Sequence, residues 1–351
     1  MVKKISLFMM IFMTIAGYGL SVCAEEDQAI PYSATAIIPE NQLNKNVSYF
    51  DLLVSKGEKQ IVTIQINNSS DKKIKIKITP NTAKTTRNGT IDYSGMDLKN
   101  TDNLKYQFDK LVSKEQVVSI EPHTKKNVDF VLSIPREEFP GIILGGFYIR
   151  EEKDEQLVQS LNKTVQITNE FSMVIGCQLR MNEEKVPKDF QLNKVKLGTY
   201  GGYFSIISSI SNVSPSLVSF YSVEKTIQDM NRKEIAKFKK EGISIAPNSI
   251  YEAPDKIEEN KLKPGKYKML LTIESRDKKN KWRLSEDFEI TSKEKKGVQN
   301  EAIPSTKISN RNISYLVPCL WFGLVILLFM ILLLRLMRNR DGEEGVVLIF
   351  I

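Results

Sequence analysis

Apolar and polar residues alternate with period two over short runs along much of the chain, and turn residues separate the runs. In KKIKIKIT (72–79), Ile74, Ile76 and Ile78 are spaced by lysines, which sets one face of a strand in a core and the other in water. Val62, Ile64 and Ile66 repeat the pattern ahead of the turn sequence NNSSD (67–71), so residues 59–79 are expected to form a β-hairpin. NVDFVLSIP (127–135) alternates Val128, Phe130, Leu132 and Ile134. Short alternating strands joined by turn signals predict an all-β sandwich. One stretch departs from period two: in residues 102–116, Leu104, Phe108, Leu111 and Val112 share a helical face, with Asp102 as a candidate N-cap. That spacing predicts a short helix crossing the first domain.

A second set of strands begins with FSMVIGCQL (171–179), where Phe171, Met173, Ile175, Cys177 and Leu179 alternate with the other face. In LKPGKYKMLLTIE (262–274) a Pro-Gly turn delivers Tyr267 to the start of a strand, the arrangement of a tyrosine corner in an immunoglobulin-like sandwich. The expected architecture is two tandem immunoglobulin-like β-sandwiches, at 25–155 and 156–292. A polar stalk at 293–312 follows, with a reach of roughly 25 Å if flexible. The run PGIILGGFYI (140–149) places Gly141, Gly145 and Gly146 inside an otherwise strand-like segment. Glycine there marks either a bulge or a close approach of another group, and the pattern leaves both readings open.

The two ends read differently from the middle. Lys3 and Lys4 precede an apolar stretch at 5–20, and Val22-Cys23-Ala24 and three acidic residues follow. This is the pattern of a secretory signal peptide, expected to be cut after Ala24. Leu20-Ser21-Val22-Cys23 also loosely resembles a lipoprotein processing site, although Val22 is larger than the small residue usual there. Residues 313–334 are uncharged and mostly apolar, long enough to span a ~30 Å hydrocarbon layer. Tyr315 and Trp321 lie towards one end of that run and Arg335, Arg338 and Arg340 follow the other. The asymmetry predicts a single-pass protein with residues 335–351 in the cytoplasm and the bulk of the chain outside. The apolar end VVLIFI (346–351) has no physical account.

A chain of 351 residues is long enough to bury two cores. Of its three cysteines, Cys23 lies in the signal and Cys319 in the apolar span, so Cys177 stands alone and no intramolecular disulfide framework is available. Its place in an alternating strand makes it a core thiol. Of the formal net charge of +8, Lys3 and Lys4 carry +2 and the three tail arginines cancel Asp341, Glu343 and Glu344, so the part expected outside is moderately basic, which suits an anionic cell wall. Asn67, Asn88 and Asn212 begin Asn-x-Ser/Thr sequons. His123, the sole histidine, lies in the polar sequence EPHT (121–124) and is expected on a surface turn. No nucleophile motif, zinc-ligand cluster or phosphate-binding glycine loop accompanies it. Asp92, Asp97 and Asp102 lack the spacing of a calcium loop and are expected to be solvated. The reading is therefore binding without catalysis, metal or cofactor, and nothing indicates a nucleic-acid partner.

PENQ (39–42), YFDL (49–52) with the Gly57 turn, AKTTRNGTIDY (83–93) and FPGIILGGF (139–147) together resemble the WxL-interacting proteins of Gram-positive bacteria. FSMVIGCQL and LKPGKY are similar to the second domain of that family. The resemblance implies a first domain that binds peptidoglycan and a second that binds a host ligand such as an extracellular-matrix protein. It also implies assembly with WxL-domain proteins at the wall. The family-signature positions to which it lends a binding role are Asn41, Gln42, Tyr49, Asp51, Asn88, Gly89, Asp92, Tyr93, Gly141, Gly145 and Gly146. The ending after Arg340 departs from the family's basic tail. The expected function is a membrane-tethered surface adaptor. A stand-alone host adhesin is the alternative, and a wall hydrolase using paired acids is a third.

Overall fold

The computed structural model describes residues 30–152, 170–302 and 316–340. The expected signal peptide and the segment after Arg340 lie outside the described residues. The first sandwich opposes a three-stranded sheet, ordered β1 (Tyr32–Ile37), β3 (Lys59–Asn68), β8 (Lys125–Ser133), to a five-stranded one. The larger sheet is ordered β2 (Phe50–Leu53), β10 (Ser172–Arg180), β9 (Ile143–Glu151), β4 (Ile74–Thr82), β7 (Gln116–Ile120). The period-two residues Val62, Ile64, Ile66, Ile74, Ile76, Ile78, Val128, Phe130 and Leu132 all enter one core. Full burial contributes about 1.5–3 kcal/mol for each such side chain. Phe147 occupies the middle, with ring centroids of Phe130, Phe108 and Phe50 at 4.9, 5.7 and 6.1 Å.

Three local expectations are corrected. β3 and β4 are not a hairpin: β3 pairs with β1 and β8, whereas β4 pairs with β7 and β9 in the opposite sheet. Buried Asn68 makes the crossing between sheets, donating to the carbonyls of Lys72 (2.7 Å), Ile120 (3.2 Å) and Glu121 (3.0 Å). The helix expected over 102–116 is a single turn, α1 (Phe108–Leu111), and its N-cap is Gln107, with no side-chain cap bond. Most of the remaining stretch is turn and irregular backbone, although Phe108 and Val112 still enter the first core. The strand β10, expected to open the second sandwich, instead completes the first. It pairs antiparallel with β9 and parallel with β2, and Ile175, Cys177 and Leu179 join the first core.

The second sandwich packs a sheet ordered β11 (Phe190–Tyr200), β12 (Tyr203–Asn212), β15 (Ser249–Lys256) on one ordered β14 (Glu234–Ile245), β13 (Val218–Asp229), β16 (Gly265–Glu274), β17 (Lys281–Ile290). β11 and β12 are joined through Gly201 and Gly202, both at positive φ (58° and 80°), as a two-residue turn between twisted strands requires. The tyrosine corner is present: Tyr267 Oη donates to the Lys263 carbonyl at 2.8 Å and accepts from the Lys263 N–H at 3.0 Å. Between the sheets, Lys225 and Asp255 form an ion pair with side chains 1% and 3% exposed. Lys225 also donates to Ser208 Oγ (3.0 Å) and the Ala253 carbonyl (3.2 Å). Burial pushes its ammonium below the usual lysine range, against the pull of Asp255.

The stalk expected from 293 begins instead as a helix, α2 (Ser292–Glu301). Thr291 caps it by accepting from the Glu294 N–H at 3.1 Å, Val298 is buried in the second core, and Lys295 donates to the Leu262 carbonyl at 2.8 Å. The C-terminal apolar run is helical as α3 (Leu316–Arg340), and its side chains from Trp321 to Leu333 are exposed. Among the described residues, no helix is long and apolar enough to cross a membrane.

Candidate functional site

The glycines of the 140–149 run have separate tasks. A Cβ on Gly145 would meet the Phe108 ring at 2.1 Å, so this glycine admits α1's aromatic side chain to the core. Gly146 points to the opposite, outer face of the five-stranded sheet, where a Cβ would lie 2.7 Å from Tyr93 Cδ1 and 3.0 Å from the Ile175 carbonyl. Register places Asn81 of β4, Gly146 of β9 and Gly176 of β10 in one row across the sheet. A Cβ on Gly176 would be 3.8 Å from Tyr49 and 3.9 Å from the Tyr93 hydroxyl oxygen. Two tyrosines thus lie over a glycine floor, and Asn81 Nδ2 fixes one of them by donating to the Tyr93 carbonyl at 2.9 Å. The next row of the same face carries Tyr148 opposite Val174, and beyond it Lys77 is opposite Arg150.

Burial, with smaller contributions from Tyr49 and Cys177, pushes the Tyr93 phenol up to about 12. It therefore remains a neutral hydrogen-bonding group at any ordinary pH. Half-buried aromatic rings bordered by amides and cations offer a surface for sugar rings and for the carboxylates of attached peptides.

Several signature residues hold this face rather than belong to it. Gln42 is buried and donates to the carbonyls of Asn44 (3.0 Å) and Tyr49 (2.9 Å), while its Oε1 accepts from the Asp51 N–H (2.9 Å). That fixes the loop carrying Tyr49. Asn41 exchanges hydrogen bonds with Gln60, and Asp51 pairs with Arg180 of β10 at 2.7 Å. Asp92 is buried, not solvated as expected, and its Oδ1 accepts from Ser94 Oγ at 2.8 Å.

Asn88, Gly89 and Gly141 lie away from the tyrosine face, at the junction between sandwiches. A small hairpin of β5 (Lys84–Thr85) and β6 (Ile91–Asp92) reaches from the first domain to the second. Thr85 Oγ1 is 2.5 Å from Ser249 Oγ and accepts from the Ala246 N–H at 3.0 Å. The Gly89 carbonyl accepts from Ser244 at 2.8 Å, and Tyr200 donates to Asn88 at 2.5 Å. At Gly141, with φ of 66°, a Cβ would meet the Pro215 carbonyl at 2.2 Å.

His123 stands at positive φ (55°) on an exposed turn, 2.8 Å from Asp71. Cys177 is fully buried, and burial pushes its thiol well above the usual range. Among the described residues no group of three or more His, Cys, Asp or Glu side chains could hold a metal ion.

Tyr49, Tyr93 and Gly146 were legible as site candidates, whereas Asn81, Tyr148, Val174 and Gly176 were not. The one available signal was Gly176, a second outward-facing glycine in an alternating strand.

Fold and site define a tandem β-sandwich protein of the binding type. Residues 32–151 match the peptidoglycan binding domain of the WxL Interacting Protein, and residues 162–300 match the host binding domain of the same protein. These matches take in most of the chain, which belongs to the WxL-interacting protein family and has a binding role at the cell surface. No relative among the curated proteins matches significantly. Among solved structures, the chain is similar to the E. coli chaperone DraB at 13% identity, over 74% of this chain and 95% of that one, with a TM-score of 0.27. The Pseudomonas aeruginosa CupB2 chaperone gives 15% identity over 66% and 92%, with a TM-score of 0.24. Likeness at that level says nothing about function.

Proposed function

We propose that this protein is a non-catalytic adaptor at the surface of a Gram-positive cell. Its first sandwich binds peptidoglycan through the tyrosine face, its second sandwich binds a host ligand, and the whole associates with WxL-domain proteins. The observation that carries the wall contact is the pair Tyr49 and Tyr93 over Gly146 and Gly176 in the domain matched to peptidoglycan binding. Arg150 on the same sheet face suits acidic stem peptides, while Lys77 beside it is paired with Glu115 at 2.9 Å. In this reading α3 anchors the chain in the membrane. The uncharged, mostly apolar sequence at 313–334 and the arginines that close it support this reading. Residues 1–24 serve as the export signal.

Sedimentation of the detergent-solubilised full chain with purified sacculi tests the wall contact. Tyr49→Ala and Tyr148→Ala should each reduce the sedimented fraction several-fold without changing the melting temperature. Unchanged sedimentation by both variants removes the tyrosine face, and no sedimentation by the natural chain removes the peptidoglycan role. Gly146→Val is a packing variant, because the added side chain collides with Tyr93 and a backbone carbonyl; it should lower the melting temperature. Sacculi left intact after long incubation argue for binding alone, while turnover would establish the hydrolase. Copurification of a WxL-domain protein from native membranes tests the assembly.

A further inference from the structure

Two β-bulges lie back to back in the second sandwich. On β13, Ser219 and Phe220 stand opposite the single residue Ser244, between the pairs Val218–Ile245 and Tyr221–Ile243. On β14, Glu241 and Gly242 then stand opposite the single residue Ser222, between Tyr221–Ile243 and Val223–Lys240. Each bulge places one residue in the left-handed region, Phe220 at φ 58° and Gly242 at φ 73°. Glycine takes that conformation freely, whereas a bulky side chain there is a strained exception. The β14 bulge uses the unstrained residue, and a Cβ at Gly242 would meet nothing within 4 Å, so the glycine there answers to its backbone conformation and not to a crowded neighbour. The β13 bulge uses phenylalanine and leaves that residue 60% exposed, so burial offsets little of the strain. Strain retained for so little burial points to the side chain itself.

The same residues line a concavity of about 610 Å³, with Phe220, Ser222 and Gly242 joined by Arg276 and Lys278. The Arg276 guanidinium carbon lies 5.8 Å from the Phe220 ring centroid. Of the acids there, Glu241 is paired with Lys239 at 2.5 Å and Glu274 with Lys281 at 3.6 Å. Arg276 and Lys278 form no ion pair within the described residues and give the concavity its excess positive charge. An exposed ring, hydroxyl and carboxylate acceptors and two spare cations, gathered in a compact hollow, complement a ring-shaped ligand with hydroxyls and a carboxylate.

We infer that this hollow binds a carboxylated saccharide, whose apolar ring face stacks on Phe220 and whose carboxylate pairs with Arg276 and Lys278. The inference deepens the host-binding reading of the second domain and rests on it.

The test is calorimetric titration of the full chain in mild detergent with a hyaluronan hexasaccharide and with 3′-sialyllactose, using neutral chitohexaose and polyglutamate as controls. At least one carboxylated saccharide should bind. Phe220→Gly and Arg276→Gln should each weaken that binding by about tenfold or more, with sacculus sedimentation unchanged. Phe220→Gly should leave the melting temperature unchanged or raised, because glycine removes the strain. The inference is overturned if neither carboxylated saccharide binds, if Phe220→Gly binds as the natural chain does, or if chitohexaose or polyglutamate binds equally well. Attachment of the natural chain to host extracellular matrix, without binding to either saccharide, overturns the hollow and leaves host binding standing. Failure to attach to matrix as well removes both.

Discussion

In the first sandwich Asn68 ends a strand and turns the chain across to the other sheet, accepting from the N–H and hydroxyl of Ser70 at 3.0 and 2.7 Å and donating to the Lys72 carbonyl. In the second, Asn212 does the same residue for residue, accepting from Ser214 at 3.3 and 2.7 Å and donating to the Ser216 carbonyl at 2.8 Å. Yet the interiors behind these matching arches differ. The first is filled by aromatic and branched side chains around Phe147, whereas the second contains the Lys225–Asp255 ion pair. The shared device is a local answer to a backbone problem: carbonyls at a sheet crossing need a donor and a buried amide supplies it. Core chemistry is free to vary because it answers to packing across the whole sandwich. The arch also explains why Asn212, which starts a glycosylation sequon, is no acceptor in the folded chain: its side chain is fully buried and hydrogen-bonded.

The sharpest way to break the comparison is to attack what the halves do not share. Lys225→Met leaves the buried Asp255 charge with only the more distant, partly exposed Lys240 at 3.6 Å and should destabilise the second sandwich by up to about 3–5 kcal/mol. Calorimetry should find the paired Lys225→Met, Asp255→Leu variant close to the natural protein, since removing both charges removes the desolvation cost as well. If the single and double variants melt alike, the ion pair has no energetic role. What the halves share predicts a smaller and equal effect. Asn68→Ala and Asn212→Ala should each cost about 1–3 kcal/mol by leaving buried carbonyls without donors, and clearly unequal denaturation midpoints would show that the arches are alike in geometry only.

The junction gives a smaller change again. Thr85→Ala removes the contacts to Ser249 and Ala246 and should cost about 1 kcal/mol, visible as faster amide exchange at Ala246. Smallest is the alkaline response. Tyr32 and Tyr93 are both raised to about 12, chiefly by burial. Unfolded tyrosines ionise near 10, so the folded form retains protons that the unfolded form has lost. Stability from these groups is complete below about pH 10 and declines as pH rises towards 12. Phenolate absorbance recorded alongside melting should follow that window, and Tyr93→Phe should flatten the first domain's response.

Period two identified the buried faces, since Ile74, Ile76, Ile78, Val128, Phe130 and Leu132 are where alternation placed them. The tyrosine corner was equally legible, because its partners are four residues apart. Neighbours across a sheet were not. Alternation says which side of β3 is buried but not that β1 and β8 occupy both its edges, so a crossing was read as a hairpin. The short helix was misjudged because Phe108 owes its place to space left by distant Gly145, not to helical periodicity. The candidate site was legible only where a family pattern marked it. Gly176 gains its meaning from register opposite Gly146, and the Phe220 bulge from pairing irregularities that no local pattern displays.

The parallel pairing of β10 with β2, Cys177 beside Phe50, has a consequence for the order in which the chain folds. Synthesis delivers β2 early and β10 more than a hundred residues later, so the five-stranded sheet waits with β2 and the outer side of β9 unsatisfied. Long-range closure of this kind is slow and exposes strand edges meanwhile. The chain continues from Arg180 through nine further residues to Phe190, where the second sandwich begins. The first sandwich therefore closes only as the second begins to emerge, and a nascent chain stopped at the first domain's matched boundary holds an open sheet.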